Sequence, residues 1–208
     1  TLDPAAAEQA LTARTRALMP VHLLGNPCDM GRLVDLARRR DLFLIEDACE
    51  SHGAEFGGRK VGAFGNVGTF SFYFSHHIST IEGGMLVTSD DRLADLARVL
   101  RAHGWQRDAR AKIPVANPLI DERYHFVNLG YNLRPTELQG AFGIHQVGKL
   151  EAFIQTRREN AEYWNSALRK YAEWLQLSPG REGSGCRSVW FGYPITVRPS
   201  APFTRQDL

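Results

Sequence analysis

The 208-residue chain has little of what would assign it to several broad protein classes. It carries only 3 cysteines (Cys28, Cys49 and Cys186), odd in number, far apart and without a C-x-x-C pair. Neither a disulfide framework nor a structural metal site is therefore expected, and a reducing cytoplasm is the expected compartment. No apolar run approaches the ~20 residues that cross a bilayer, so no membrane segment is expected. The N-terminal stretch mixes apolar residues with Glu, Gln and Arg, unlike a secretory signal. Neither sign of charge dominates, because 25 Lys plus Arg face 23 Asp plus Glu for a formal +2. The strongest basic block, Arg38-Arg39-Arg40, sits where a helix would end and opposes its dipole, so nucleic acid is not an expected partner. Lysine is scarce, with Lys60, Lys112, Lys149 and Lys170 the whole set. The remaining composition, 43% hydrophobic and 23% charged, is that of a globular domain with chain enough for one core and part of a second. The start at Thr1, and an ending at Asp207-Leu208 that reads as a new element opening, suggest a piece of a longer protein.

Periodicity supplies the organisation. The apolar run from Ala17 to Leu24, stopped by Gly25-Asn26-Pro27, reads as a buried strand. Asp29 is placed to cap a helix carrying Met30, Leu33, Val34 and Leu36, and Leu42 to Ile45 form the next strand, ending in Glu46-Asp47. Strand, helix and strand within about thirty residues make a βαβ unit, and hence a parallel sheet covered by helices. Residues 53–68 hold many glycines and read as a surface loop. Thr69 to Phe74 and Gly84 to Thr88 have strand composition, and Asp90 or Asp91 caps a further helix. Residues 107–124 read as a long loop. Pro135 is expected at the first position of a helix running from Thr136 to about Leu168, bent near Gly148. Glu173 to Leu177 and Ser188 to Val197 are expected strands around a loop from Gly180 to Gly185. The composition shifts near residue 150, which divides the chain into 1–150 and a bridging helix plus incomplete small domain over 151–208.

In an open parallel sheet, ligands bind beyond the carboxyl ends of the strands. Asp47 stands at such an end; Ser71 and the cluster Ser75-His76-His77 follow the next strand, with Glu82-Gly83-Gly84 just beyond. A carboxylate, a hydroxyl and imidazoles thus converge on one edge. From composition alone, Asp47 as a turn cap and His76-His77 as a solvated loop stay open. His22 reads as a strand-end packing residue and His103 as a helix-end dipole partner. Trp164, Trp174 and Trp190 read as packing, while Arg123 and Arg134 fit either a sugar-linked diphosphate or a solvated ion pair.

Several runs together resemble one family. Glu46-Asp47-Ala48-Cys49-Glu50-Ser51-His52-Gly53-Ala54, Gly65-Asn66-Val67-Gly68-Thr69-Phe70-Ser71-Phe72 and Glu82-Gly83-Gly84 are similar to motifs of the DegT–StrS group. These are fold-type-I pyridoxal-phosphate enzymes acting on nucleotide-linked sugars. Pro20-Val21-His22-Leu23-Leu24-Gly25 and Gly130-Tyr131-Asn132-Leu133-Arg134-Pro135-Thr136-Glu137 agree, in order and with fitting spacing. The resemblance implies an α/β large domain, mainly parallel in its sheet, followed by the start of a small α+β domain. It implies that Asp47 pairs with the protonated pyridine nitrogen and that Ser71 donates to the cofactor phosphate. Asn132 would reach the phosphate in a neighbouring subunit, so a homodimer is implied. Glu50 falls where relatives place a Gln near the ring's phenolic oxygen.

One departure from the family pattern is informative. Relatives that transaminate carry a lysine five residues after the Ser of Ser-Phe, where its amine tethers the cofactor; here that position is His76. Imidazole forms no such tether, and its ordinary pKa of about 6.5 suits a general base. The run from Ser71 to Gly84 resembles the sugar 3-dehydratases of the group. That implies pyridoxamine 5'-phosphate, interconverting with pyridoxal 5'-phosphate, and a nucleotide-linked 4-keto-6-deoxy hexose that loses its C3 hydroxyl. One dehydratase branch adds an iron–sulfur cluster, but Met85 to Leu129 contains no cysteine, so no cluster is expected. Gly130-Tyr131-Asn132-Leu133-Arg134-Pro135-Thr136 and Trp190-Phe191-Gly192-Tyr193-Pro194 nevertheless look similar to the cluster-bearing branch. The other readings are an aminotransferase of the same family and a catalytically silent sugar-binding protein of this fold.

Overall fold

Asp3 accepts the Ala5 and Ala6 N–H groups and opens a short helix, α1 (Pro4–Ala10), in the computed structural model, which describes residues 1–178 and 185–207. Strand β1 (Ala17–Leu18) follows and is shorter than the apolar run suggested. Pro20 has no N–H to continue a ladder, and Leu23–Gly25 closes instead into a 3-10 turn with Leu24 at φ 55°. Asp29 accepts the Arg32 N–H and caps α2 (Met30–Arg39), which buries Met30, Leu33, Leu36 and Ala37 on one face. Strand β2 (Phe43–Asp47) runs parallel to β1, with Ala17 opposite Phe43, so the expected βαβ unit is present.

The glycine-rich stretch is more than a loop. It carries a hairpin, β3 (Glu55–Phe56) and β4 (Arg59–Lys60), turned by Gly57 and Gly58 at φ 58° and 76°. Strand β5 (Val67–Ser71) then pairs parallel to β2, and β6 (Gly84–Val87) pairs antiparallel to β5. The sheet order is β1-β2-β5-β6, mainly parallel with one antiparallel edge strand. Asp90 caps α3 (Asp91–Leu100). Pro135 stands before the cap rather than inside the next helix, because Thr136 and Gln139 form a reciprocal capping box that starts α4 at Glu137 (Glu137–Val147). Gly148 separates it from α5 (Leu150–Leu168), where a bend was expected.

Strand β7 (Leu175–Leu177) follows, and β8 (Cys186–Arg187) adds to β3. Strand β9 (Ile195–Val197) pairs antiparallel with β7. Residues 188–197 are therefore not one strand, because Trp190 takes φ 49° and turns the chain. Of the expected Gly180–Gly185 loop, residues 180–184 lie outside the described residues, as does Leu208.

Two apolar clusters support this layout. One joins α1, α2 and β2 through residues such as Met30, Leu33, Leu36 and Leu44. The other joins Ala48, Ala54, Val61, Ile154 and Val189, and so pins α5 and the C-terminal segment behind the end of β2. Trp190 is buried as expected, whereas Trp164 is 46% exposed. Among the described residues no helix is long and apolar enough to cross a membrane.

Candidate active site

Strands β2 and β5 lie side by side with Asp47 opposite Thr69. Residues in parallel register face the same side, and alternate residues of a strand share a face. Asp47, Thr69 and Ser71 therefore line one face at the carboxyl ends, and Glu46 and Gly68 line the other. The Asp47 backbone is held from both sides. Its N–H donates to the Pro20 carbonyl at 2.9 Å, and its carbonyl accepts the His22 N–H at 3.0 Å. The carboxylate accepts the Cys49 N–H through Oδ1 at 3.0 Å. Burial first, and then the Asp47 carboxylate, push the Cys49 thiol up to about 11, so that thiol is not a nucleophile near neutrality.

Ser71 ends β5. Its Oγ accepts the Tyr73 N–H at 3.2 Å, which leaves its own proton to donate, and it lies 3.5 Å from His76 Nδ1. The His76 N–H donates to the Tyr73 carbonyl at 3.0 Å and closes the turn that carries the imidazole. The half-buried His76 ring lies 5.4 Å from the Phe191 ring and 6.1 Å from that of Tyr73. Asp47, Ser71 and His76 thus come to one sheet edge. Glu50 lies in the loop after β2, where its Oε2 accepts the Leu24 N–H at 2.7 Å. Asn132 is not gathered with Asp47, Ser71 and His76; it is exposed, and its backbone bridges Ala102. Arg123 is bound to the Asp121 carboxylate at 2.6 Å, which makes it an exposed ion pair.

Behind this edge lie two buried imidazoles. His52 packs against Phe70, Phe72 and His77, and among the described residues neither of its ring nitrogens has a hydrogen-bond partner. His77 donates from Nε2 to the Val189 carbonyl at 3.3 Å. Burial pushes both down to about 4, so both are neutral at pH 7.

Sequence reasoning missed the support of this edge. Glu46 is fully buried, and its two oxygens accept from Gly62 N–H at 2.7 Å, Phe64 N–H at 2.5 Å, Gly65 N–H at 2.7 Å and His22 Nε2 at 3.2 Å. Four donors fill the acceptor capacity of an ionised carboxylate. Burial alone would raise the Glu46 pKa, but these hydrogen bonds outweigh it and hold the carboxyl below its ordinary value. His22 Nδ1 accepts the Cys28 N–H at 3.0 Å, so the ring is the tautomer that donates from Nε2 to Glu46. His22 is thus a hydrogen-bonded bridge rather than mere packing. Two-residue alternation carried a signal, since Glu46 shares its face with the buried Leu44. On the same face Gly68 has no room for a side chain, because a Cβ would stand 2.0 Å from the Gly62 carbonyl oxygen.

The donor set fits a vitamin B6 cofactor: a carboxylate for a ring cation, a hydroxyl with a free proton for a phosphate, and an imidazole to move a proton. The lysine contacts lie elsewhere. Lys60 pairs with Glu55 at 2.6 Å, Lys112 donates to the Gln106 and Arg107 carbonyls, and Lys170 lies over Tyr171.

Comparison with known proteins agrees with this geometry. The profile of the DegT/DnrJ/EryC1/StrS aminotransferase family matches residues 1–208. The chain is 38% identical over 211 residues to GDP-4-keto-6-deoxy-D-mannose 3-dehydratase of Yersinia pseudotuberculosis, covering 97% of this chain and 51% of that protein. It is also 38% identical over 207 residues to GDP-perosamine synthase of Caulobacter vibrioides, covering 100% of this chain and 52% of that protein. The structure of E. coli GDP-4-keto-6-deoxy-D-mannose-3-dehydratase with bound hydrated PLP superposes with a TM-score of 0.88 at 36% identity, covering 99% of this chain and 53% of that one. The chain spans about half the length of the curated relatives it matches. Its fold is that of the fold-type-I pyridoxal-phosphate enzymes, and it belongs to the DegT/DnrJ/EryC1/StrS aminotransferase family.

Proposed function

We propose that the complete protein catalyses dehydration at C3 of a nucleotide-linked 4-keto-6-deoxy hexose, with pyridoxamine 5'-phosphate and pyridoxal 5'-phosphate as the two forms of its cofactor. The observation that carries this reading is His76, an imidazole 3.5 Å from the Ser71 hydroxyl where transaminating relatives carry a lysine. When bound, the cofactor supplies an electron sink that acidifies the carbon bearing its amine. Asp47 would hold the proton of the ring nitrogen, and Ser71 would donate to the phosphate. Glu50 would lie near the phenolic oxygen, its carboxylate already steadied by the Leu24 N–H. His76, with no amine to tether the cofactor, would act as the base that takes up the carbon-bound proton.

The relatives' names favour a GDP-linked 4-keto-6-deoxymannose as substrate, and a relative named for lipopolysaccharide biosynthesis supports a place in polysaccharide biosynthesis of the O-antigen type. Identity by itself does not separate a dehydratase from GDP-perosamine synthase, since both match at 38%. The histidine at position 76, where the resemblance implies a lysine in transaminating relatives, supports the dehydratase reading. We also propose a homodimer in which Asn132 reaches the partner's cofactor phosphate. The exposure of Leu129, Tyr131, Leu133 and Leu138 around Asn132 supports an apolar contact there. The large domain would end near residue 150, and the free thiols fit the cytoplasm.

The test is to incubate the complete protein with pyridoxamine 5'-phosphate and GDP-4-keto-6-deoxymannose, then weigh the sugar nucleotide by mass spectrometry. A product lacking one oxygen is expected, with one pyridoxamine 5'-phosphate converted to pyridoxal 5'-phosphate and one ammonia released per sugar. The C3 hydroxyl leaves as water, and the amine form of the cofactor supplies the two electrons. An amino sugar would assign an aminotransferase, and unchanged substrate would assign a silent binding protein; either outcome refutes the reading.

A further inference from the structure

The run Trp190-Phe191-Gly192-Tyr193-Pro194 has no part in the chemistry above, yet the structure brings it against the base. Residues 189–191 are laid along residues 24–25, with the Val189 N–H donating to the Gly25 carbonyl at 2.9 Å and the Phe191 N–H to the Leu24 carbonyl at 3.1 Å. The approach is so close that a Cβ on Gly25, itself at φ +82°, would meet the Trp190 and Phe191 nitrogens at 2.8 Å. Trp190 adopts φ 49°, a left-handed conformation that a bulky residue holds only where its surroundings enforce it. Here the enforcement is visible. Trp190 is buried, and Arg157 Nη1 donates to the Trp190 carbonyl at 3.2 Å and the Phe191 carbonyl at 2.9 Å. The guanidinium also lies 5.9 Å from the Phe191 ring centre.

The strained turn delivers one ring to one place. Phe191 stands 5.4 Å from His76 and 5.5 Å from His77, in contact with both imidazoles. His77 is in turn tied to the Val189 carbonyl, so the residue after His76 is anchored to the segment that carries Phe191. The Leu24 N–H is fixed by Glu50, so the support of Phe191 reaches back to the site loop.

We propose that Phe191, locked in place by Arg157, is a positioning residue for His76. Its ring closes one side of the imidazole and limits rotation, which keeps Nδ1 toward Ser71 and leaves Nε2 for proton transfer. This inference rests on the reading of His76 as the base. It goes beyond that reading by giving α5 and the C-terminal segment a role in the reaction.

The experiment uses the complete protein with its cofactor, three single variants and one double variant, beside a His76→Asn control. Phe191→Leu removes the flat ring while keeping apolar bulk. It should lower kcat about tenfold or more while KM stays within about threefold, and Phe191→Tyr should restore most of kcat. Independently of turnover, diethyl pyrocarbonate should modify His76 several-fold faster in Phe191→Leu, read by peptide mass spectrometry. Arg157→Met should lower kcat in the natural background but not further in Phe191→Leu, because the two act as one unit. Should Phe191→Leu fail to fold, Arg157→Met carries the test by the same two readouts. Loss of turnover in His76→Asn, with kcat and His76 reactivity unchanged in both Phe191→Leu and Arg157→Met, would overturn the positioning role alone. Retained turnover in His76→Asn would overturn the assignment of the base itself.

Discussion

Replacing His52 with Phe should make the protein less sensitive to mild acid. His52 is 5% exposed, rings of Phe70, Phe72 and His77 lie 5.3, 5.6 and 5.9 Å from it, and among the described residues neither nitrogen has a hydrogen-bond partner. Burial, and next the neighbouring imidazoles His77 and His76, push its pKa down to about 4. An unfolded chain titrates the same group near 6.5, so it binds the proton before the native state does. The stability from keeping His52 neutral is therefore complete above about pH 6.5 and is lost as pH falls toward 4. Between pH 7 and pH 5 one such group costs about 2 kcal/mol, and His77, also lowered to about 4, costs a similar amount. His52→Phe should remove roughly half of that combined loss. At pH 7 it should be neutral or stabilising by about 1 kcal/mol, since it deletes two buried nitrogens that have no partner. Urea unfolding followed by circular dichroism at pH 7, 6 and 5 measures both effects. A variant that loses as much stability as the natural protein between pH 7 and pH 5 would refute the reasoning.

Two further predictions follow from the buried groups. Glu46→Gln turns an amide NH2 toward backbone N–H groups that now share a carboxylate, and should cost about 2–4 kcal/mol. Because the native Glu46 pKa is lowered, its contribution is complete above the ordinary carboxyl range and fades as pH falls through the lowered value. The variant should thus unfold with a shallower acid dependence below about pH 5, and a Tm unchanged from the natural protein would contradict this. Cys49, with its thiol near 11, should react with iodoacetamide at pH 8 on the order of a hundredfold slower than a free cysteine. Mass spectrometry of the labelled peptides settles that, and labelling at the free-thiol rate would count against it.

What could be read from the sequence follows from which forces are local. The βαβ unit was legible because Asp29 caps its own helix and Met30, Leu33 and Leu36 repeat at helical spacing. The gathering of Asp47, Ser71 and His76 was legible from strand direction, since parallel neighbours bring their carboxyl ends to one edge. The Glu46 network was not, because three of its four donors are backbone N–H groups in the Gly62–Gly65 turn, and their meeting depends on how that turn crosses β2. Residues 188–197 misled for a related reason. Their composition suits a strand, but the tertiary contacts of Arg157 and Gly25 impose the turn at Trp190. Pro135 was misplaced by two positions because the Thr136–Gln139 capping box outweighs the preference of proline for the first helical position.

The measurement closest to the centre of the account is turnover of the His76→Asn variant of the complete protein, with cofactor binding followed in parallel by absorbance. Asparagine keeps a hydrogen-bonding group near Ser71 but has no basic nitrogen, so the account predicts cofactor binding close to that of the natural protein. It predicts a fall in turnover of about a hundredfold or more, the usual scale for removing a general base. Undiminished conversion by that variant, with the cofactor bound as before, would contradict the claim that the imidazole of His76 moves the proton.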